Sequence, residues 1–443
     1  MGPHSIAERA AGIDPERILA LSKVQLSWHH KSIPAGALGR SAGEYLKTAP
    51  TLGDLQTPLL TLDRSRMAAN ESAMAAWCAA RGISIAPHGK TTMAPQLWQL
   101  QLDHGAWGIT LANAYQARVA HEFGVRRIMI ANSVTDPRAI EWLSLAQGPD
   151  FSAVSWVDSF DTVALLDSVI SRSGGAPLDV VVELGGAGGR TGARSQAQAL
   201  EVARAAAASP HLRLVGVGGY EGALAHGADS ASIAAVRTYL GAVRDLHQIL
   251  LEQGLYEPGA EIIVTAGGSA YFDDVADVLA GCAAERTGDS PAVSVVIRSG
   301  AYLIHDDGFY REISPFSRDS AVQPFAAAMH AWVRVVSVPE PGLAILDAGK
   351  RDLPFDEGLP EPQLIGPVLG GAMAPLTGAA ITAVNDQHAF LRFDPATSTV
   401  TIGDVIRLGL SHPCTAFDKW KLIPVLADVD SDHTVVDLIH TFF

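Results

Sequence analysis

A chain of 443 residues with 48% apolar side chains exceeds what one hydrophobic core usually holds, and it carries apolar material for two. Its 32 Lys and Arg against 47 Asp and Glu leave a formal net charge of -15, which speaks against a broad nucleic-acid surface. No run of about 18 uninterrupted apolar residues and no charged-then-apolar leader occurs, so neither membrane insertion nor export is expected. Three cysteines, Cys78, Cys282 and Cys414, make a poor disulfide framework, and the expected compartment is the cytoplasm.

The first 54 residues show one helical stretch, Pro15 to Ser22, and a glycine-containing loop, Ile33 to Ala42; they are expected to pack on a later β domain. From Leu55 to residue 323 short β-branched runs alternate with alanine-rich stretches, the pattern of repeated βα units on a parallel sheet. The predicted strands are Pro58 to Asp63, Ile83 to His88, Gly108 to Ala112, Arg127 to Asn132, Ala153 to Asp158, Asp179 to Gly185, Leu214 to Tyr220, Glu261 to Ala266 and Val293 to Arg298. Predicted helices include Ser65 to Arg81, Ala114 to Phe123, Ser195 to Ala208 and Ser230 to Glu252. Nine candidates suit an eight-stranded TIM-type (β/α)8 barrel with one flanking strand. Polar residues cluster after many different strands, which favours the barrel over an open sheet. From residue 324 to 443 the runs Trp332 to Val338, Leu343 to Leu346, Ile381 to Phe393, Thr399 to Leu408 and Val435 to Phe443 are separated by Gly and Pro, and they predict a C-terminal all-β domain.

Lys90, in Pro87-His88-Gly89-Lys90-Thr91, stands where a buried strand runs out, the position at which a parallel barrel usually places chemistry. A lysine amine whose pKa is lowered by desolvation or a neighbouring cation can form a Schiff base, and His88 projects to the same side of the strand. Gly267-Gly268-Ser269 follows another strand and could close backbone N–H groups around a phosphate. The glycine-rich loop from Glu183 to Gly192 only approximates a dinucleotide fingerprint and lacks its supporting acidic residue. Arg190 closes that loop, Tyr220 ends the following barrel strand, and Arg298 with Tyr302 follows the last one. Near the C-terminus His412-Pro413-Cys414 offers imidazole and thiolate two positions apart, suited to a borderline-soft cation such as zinc. Two ligands are too few for a structural site, so an open catalytic site is the sharper reading. Asp386-Gln387-His388 is either a second polar cluster or a solvated hairpin.

Together these pieces resemble the alanine-racemase-like fold of pyridoxal-phosphate enzymes, in the branch of D-threonine aldolases and D-serine or D-threonine dehydratases. Thr57 to Asp63 looks like the opening strand, and Pro87-His88-Gly89-Lys90-Thr91 like the Pro-His-x-Lys-Thr cofactor motif. Gly267-Gly268-Ser269 is similar to the phosphate turn, Arg190-Thr191-Gly192 to the Arg-x-Gly element that reaches the cofactor's phenolic oxygen, and Gly300-x-Tyr302 with Asp306 to a Pro-Gly-x-Tyr segment. Asp347-Ala348-Gly349-Lys350, Asp386-Gln387-His388 and His412-Pro413-Cys414 follow in the family's order. Ala86 and Thr92-Met93 depart from the cofactor motif, and Arg298 falls where racemases set an arginine against the pyridine nitrogen.

The resemblance implies pyridoxal 5'-phosphate on Lys90, with His88, Arg190, Tyr220, Gly267, Gly268, Ser269, Arg298 and Tyr302 as cofactor-side residues. His412 and Cys414 would hold a divalent metal, zinc first, with manganese or magnesium as alternatives. The implied reaction is dehydration of a D-3-hydroxy amino acid, such as D-serine or D-threonine, to a 2-oxo acid and ammonia, because His-x-Cys looks like the dehydratases. Retro-aldol cleavage to glycine and an aldehyde is the alternative, associated with His-x-Asp; a racemase or a non-catalytic cofactor-binding protein fits less well. A small-molecule substrate, no nucleic acid, no membrane and a head-to-tail homodimer complete the expectation.

Overall fold

Short runs of Val, Ile and Leu buried on both faces form parallel strands when helices cover them, and alanine-rich stretches supply those helices. The computed structural model describes residues 12–225, 227–287 and 291–443. These fall into two compact units, the first comprising residues 12–14, 74–90 and 98–300, the second residues 15–73, 91–97 and 301–443. In chain order β1 (Leu59–Asp63) belongs to the second unit, and the next eight strands belong to the first. These are β2 (Ser84–Ile85), β3 (Ile109–Leu111), β4 (Arg127–Ile130), β5 (Ser152–Val157), β6 (Leu178–Glu183), β7 (Leu212–Gly218), β8 (Ile262–Ala266) and β9 (Val293–Ile297).

The eight pair in parallel in the order β2-β9-β8-β7-β6-β5-β4-β3. Beyond the short β2 the circle closes on β3: Trp107 N–H donates to Ile85 O at 2.7 Å, Thr110 N–H donates to Pro87 O at 2.9 Å, and His88 bridges Thr110. The sheet is therefore a barrel. Ala86, Trp107, Met129, Val154, Trp156, Val181, Val215, Ile263 and Val296 form one buried cluster drawn from all around it, as a filled barrel requires.

At the N-terminal ends of the strands Arg127 and Glu261 form a buried pair at 3.9 Å. Trp107 Nε1–H donates to Glu261 Oε1 at 3.2 Å, Ser294 Oγ donates to the same oxygen, and the Arg127 guanidinium lies 4.7 Å from the Trp107 ring centroid. Removing one partner of a buried pair strands the other charge. Glu261→Ala is expected to cost about 3–5 kcal/mol in urea unfolding, and Glu261→Gln, which also leaves the Arg127 charge uncompensated but keeps an acceptor for Trp107, somewhat less.

In the second unit the strands after the barrel are β10 (Met329–Glu340), β11 (Leu343–Leu346), β12 (Glu361–Gly366), β13 (Ala374–Pro375), β14 (Ala380–Val384), β15 (Ala389–Arg392), β16 (Val405–Gly409), β17 (Leu422–Asp428) and β18 (Asp432–His440). The main path runs β13-β12-β16-β10-β1-β17-β18, with β11, β15 and β14 continuing from β10. β1 lies antiparallel to β10, with Leu59 opposite Trp332, and parallel to β17, with Leu62 opposite Val425. So Pro58 to Asp63 supplies the ninth, flanking candidate, and the strand sits inside the β sheet. Its five residues are all buried, which suits a central strand of either sheet. Leu26, Ile33, Ala42, Tyr45 and Leu52 share a buried cluster with Trp332, Val405, Leu422 and Leu438.

The β-type run Ile381 to Phe393 is two strands, β14 and β15, and Asp386 to His388 lies in the hairpin turn between them, where Asn385 N–H donates to His388 O at 2.8 Å. β12, β13 and β17 are additions to the sequence reading. Pro424 within β17 masks its strand character, because a proline usually signals an edge or a break. Among the described residues no helix is long and apolar enough to cross a membrane.

Candidate active site

Within the first unit the chemistry-bearing residues gather at the C-terminal ends of the strands, the catalytic face of a barrel. Lys90 follows β2 on a short 3-10 turn, Gly89–Thr91, and is exposed. Gly89 is clamped: a Cβ there would lie 2.6 Å from Ile109 Cγ2 and 2.7 Å from Trp98 Nε1, and the Trp98 Nε1–H donates to Gly89 O at 3.2 Å. Only glycine lets the turn seat so close to the indole. His88 is held well below the usual imidazole range by burial and by the positive charges of Lys90, Arg298 and Arg190, so it stays neutral. A Cβ on Gly300 would meet the His88 backbone and Cβ at 2.7 Å, which fixes the last strand against this motif.

Arg298 is fully buried after β9, and its two terminal nitrogens are held. Nη1–H donates to Thr265 Oγ1 at 2.5 Å and Nη2–H to Gly219 O at 2.6 Å, with the guanidinium 4.8 Å from the Trp156 ring centroid. Burial pulls its pKa down from the ordinary value, with Glu221 the largest opposing charge. After β8, the amides of the Gly267-Gly268 turn are engaged by the buried Glu221 carboxylate: Gly267 N–H donates to Oε2 at 2.9 Å and Gly268 N–H to Oε1 at 2.8 Å. The sequence reading assigned those two N–H groups to a phosphate. In the structure an acidic side chain from 46 residues upstream takes them.

The loop after β6 is shaped by a residue the sequence reading passed over. Arg194 donates to the carbonyls of Gly186, Gly189, Arg190 and Thr191 at 2.8–3.2 Å, tying the glycine-rich segment into one fold. Glu183, Leu184, Arg190, Thr191, Tyr220, Leu224 and neighbouring glycines line a shallow polar recess, and the Arg190 guanidinium lies 5.4 Å from the Tyr220 ring centroid. Burial, with Glu221 adding to it, raises the Tyr220 phenol above its ordinary value. Glu183 accepts from Thr191 Oγ1 at 2.8 Å.

Burial raises the Glu183 carboxyl to about 6, against the Thr191 hydrogen bond and with help from Asp158. A carboxyl raised on folding holds its proton better in the native state. Its contribution to stability is full below pH about 4.5 and lost as pH climbs through about 6. Glu183→Gln is therefore expected to shrink the difference in unfolding free energy between pH 4 and pH 8 by about 2 kcal/mol, read by urea titration at the two pH values.

Three buried polar atoms of this group, His88 Nδ1, Arg298 Nε and Glu183 Oε2, find no hydrogen-bond partner among the described residues. Buried polar atoms are normally satisfied, so a set of them at the barrel mouth fits a polar ligand held there. A lysine, an unpaired guanidinium N–H, a neutral imidazole and a glycine-rich recess suit a flat, polar, aldehyde-bearing cofactor.

Tyr302 lies in the second unit, buried, and its hydroxyl donates to Glu71 Oε2 at 2.7 Å. In the same unit His412 directly precedes the helix Pro413–Phe417 that carries Cys414. The His412 Nδ1 lies 2.7 Å from Asp356 Oδ2, Thr415 Oγ1 donates to Asp356 Oδ1 at 2.6 Å, and Cys414 Sγ donates to Thr91 Oγ1 at 3.4 Å. Burial works against a charge on His412, but its hydrogen bond to Cys414 and the adjoining Cys414 and Asp356 charges raise it to about 9. Asp356, Glu357 and His412 present ligand atoms within 4.8 Å of one another, a grouping that spacing along the chain does not reveal. An imidazole beside carboxylate oxygens, with the Cys414 thiol hydrogen-bonded to that imidazole, offers donors of the kind a borderline divalent cation takes. Asp386 and His388 stand on the exposed turn between β14 and β15, and Asp386 pairs with Arg351 at 3.3 Å.

Residues 328–426 match the family model "Putative serine dehydratase domain". Over 380 residues the chain is 27% identical to D-threonine aldolase of an Arthrobacter species, covering 85% of this chain and 90% of that one. Over 398 residues it is 25% identical to D-threo-3-hydroxyaspartate dehydratase of Delftia sp. strain HT23, covering 85% and 96%. The chain is similar to these aldolases and dehydratases over most of its length. Such enzymes are lyases.

The chain also matches solved structures in fold. D-threonine aldolase from Filomicrobium marinum superposes with a TM-score of 0.73 at 23% identity, covering 88% of this chain and 96% of that one. An alanine-racemase-like protein from Idiomarina loihiensis gives 0.68 at 16%, covering 87% and 96%. A cysteine-to-alanine variant of D-threo-3-hydroxyaspartate dehydratase, described as a metal-free form, gives 0.69 at 21%, covering 89% and 99%. The barrel followed by a β domain, and the resemblance on which it was expected, both hold.

Proposed function

We propose that this lyase is a pyridoxal-phosphate-dependent, metal-assisted dehydratase that converts a D-3-hydroxy amino acid to a 2-oxo acid and ammonia. The observation that carries the reading is Lys90 at the barrel mouth, in one ring of strand ends with His88, Arg190, Tyr220 and Arg298. Lys90 would anchor the cofactor, and its freed amine would take the proton from the substrate's Cα. The bound cofactor supplies a conjugated ring that accepts the electron pair left on Cα.

His88, kept neutral, offers a ring face and an open Nδ1 without adding charge. Arg298 directs its remaining N–H, Nε, from a guanidinium fixed at both other nitrogens, the arrangement that would meet a ring nitrogen and disfavour its protonation. Arg190, exposed at the recess, is the candidate partner of the cofactor's phenolic oxygen. With Glu221 holding the Gly267 and Gly268 amides, that pair braces the phosphate turn, and Ser269 becomes the nearer candidate for a phosphate contact.

In the second unit His412 and Cys414 would hold the metal, whose chemistry is to polarise the β-hydroxyl as it leaves. Loss of that hydroxyl and later hydrolysis of the nitrogen yield the 2-oxo acid and ammonia, with no oxidant required. Cys414 in place of an aspartate favours dehydration, as does the family model over residues 328–426. The 27% identity to a D-threonine aldolase favours the second reading, retro-aldol cleavage to glycine and an aldehyde. Incubating the holoenzyme with D-threonine separates them: 2-oxobutanoate with ammonia is the expected pair, and glycine with acetaldehyde overturns dehydration.

A further inference from the structure

The His412 imidazole has two nitrogens, and the side of the ring that meets Asp356 is settled by geometry. A carboxylate only accepts, so the 2.7 Å approach of Asp356 Oδ2 requires the proton of a neutral His412 to sit on Nδ1. In that neutral form, the one that ligates a metal, the lone pair is on Nε2. Asp356 is itself braced, because its second oxygen accepts from Thr415 Oγ1 at 2.6 Å, and Thr415 sits one residue beyond Cys414 on the helix that begins after His412. One carboxylate thereby orients the imidazole and is tied to the turn that carries the thiol.

We propose that Asp356 is a positioning residue for the metal: it fixes the His412 tautomer and ring plane so that Nε2, with Cys414, receives the cation. The inference rests on the metal-assisted reading above and adds a residue 56 positions from His412 that the His-x-Cys motif does not contain. Outer carboxylates of this kind typically set metal affinity by 10–100-fold. Asp356 therefore acts through His412 and has both oxygens engaged, whereas a direct ligand would turn one oxygen toward the metal.

The test is zinc affinity of the full-length protein, measured by competition with a chromophoric chelator, beside a thermal melt of each zinc-free variant. Asp356→Ala is expected to weaken zinc binding about 10–100-fold with an unchanged melt. Asp356→Asn keeps an amide oxygen that accepts from Nδ1–H and should recover most of that loss, and Thr415→Val should weaken binding less than Asp356→Ala. An Asp356→Ala protein that binds zinc like wild type overturns the inference alone. So does an Asp356→Asn protein as weak as Asp356→Ala, the signature of a directly ligating carboxylate. Failure of the wild-type protein to bind zinc, manganese or magnesium overturns the metal reading, and the positioning role with it.

Discussion

Lys90→Ala is expected to abolish the visible absorbance of protein-bound cofactor and to lower turnover of D-serine or D-threonine by about 10³-fold or more, since the proposed function gives Lys90 the roles of covalent anchor and α-proton base. The side chain is exposed at the end of β2, so the thermal midpoint should stay within about 2 °C of wild type. A fall in activity without a fall in stability separates loss of chemistry from loss of fold. Free cofactor with added methylamine should restore a fraction of the proton transfer without restoring the covalent attachment. An alanine variant that keeps the visible band and turns over normally would remove Lys90 from the account.

Cys414→Ala carries the second large effect. The thiol lies on the helix after His412, hydrogen-bonded to Thr91 Oγ1 and to the His412 imidazole, and its loss leaves the imidazole without its soft partner. Elimination should fall by at least about 100-fold and metal content should drop, while the Lys90-bound cofactor band is retained. Prolonged chelation of the wild-type protein should reproduce the same phenotype, and zinc should reverse it in the wild type alone. Equal elimination rates in chelated and untreated protein would detach the metal from the reaction.

Much of this was legible in the chain because the signals were local. The barrel strands are short, largely buried runs of two to seven residues, and each predicted run overlaps its strand. Lys90 and Arg298 stand just beyond such runs, Arg190 closes the glycine-rich loop after one, and His412 and Cys414 are separated by a single proline. What a five-residue buried run cannot disclose is which sheet it joins, and β1 pairs with β10 and β17 some 270 and 360 residues away. β17 was hidden by Pro424, whereas the turn that divides Ile381 to Phe393 showed as the polar triplet Asp386-Gln387-His388 although it contains neither glycine nor proline.

The site residues that sequence reasoning missed share one property: their meaning lies in a partner. Glu221 reads as an ordinary acidic residue until its carboxylate is found on the Gly267 and Gly268 amides. Arg194 reads as a helix-flanking charge, although it gathers four loop carbonyls. Asp356 lies in an unremarked loop whose only local cue is the acidic neighbour Glu357. Dipeptide and tripeptide spacing finds ligands, whereas the groups that orient them are assembled by folding.

The claim on which the rest depends is that Lys90 carries the cofactor. Borohydride reduction of the purified holoenzyme followed by peptide mass mapping tests it directly. The account predicts a pyridoxyl-phosphate mass on the peptide containing Lys90 and no turnover after reduction; label on another lysine, or none on any, would contradict it.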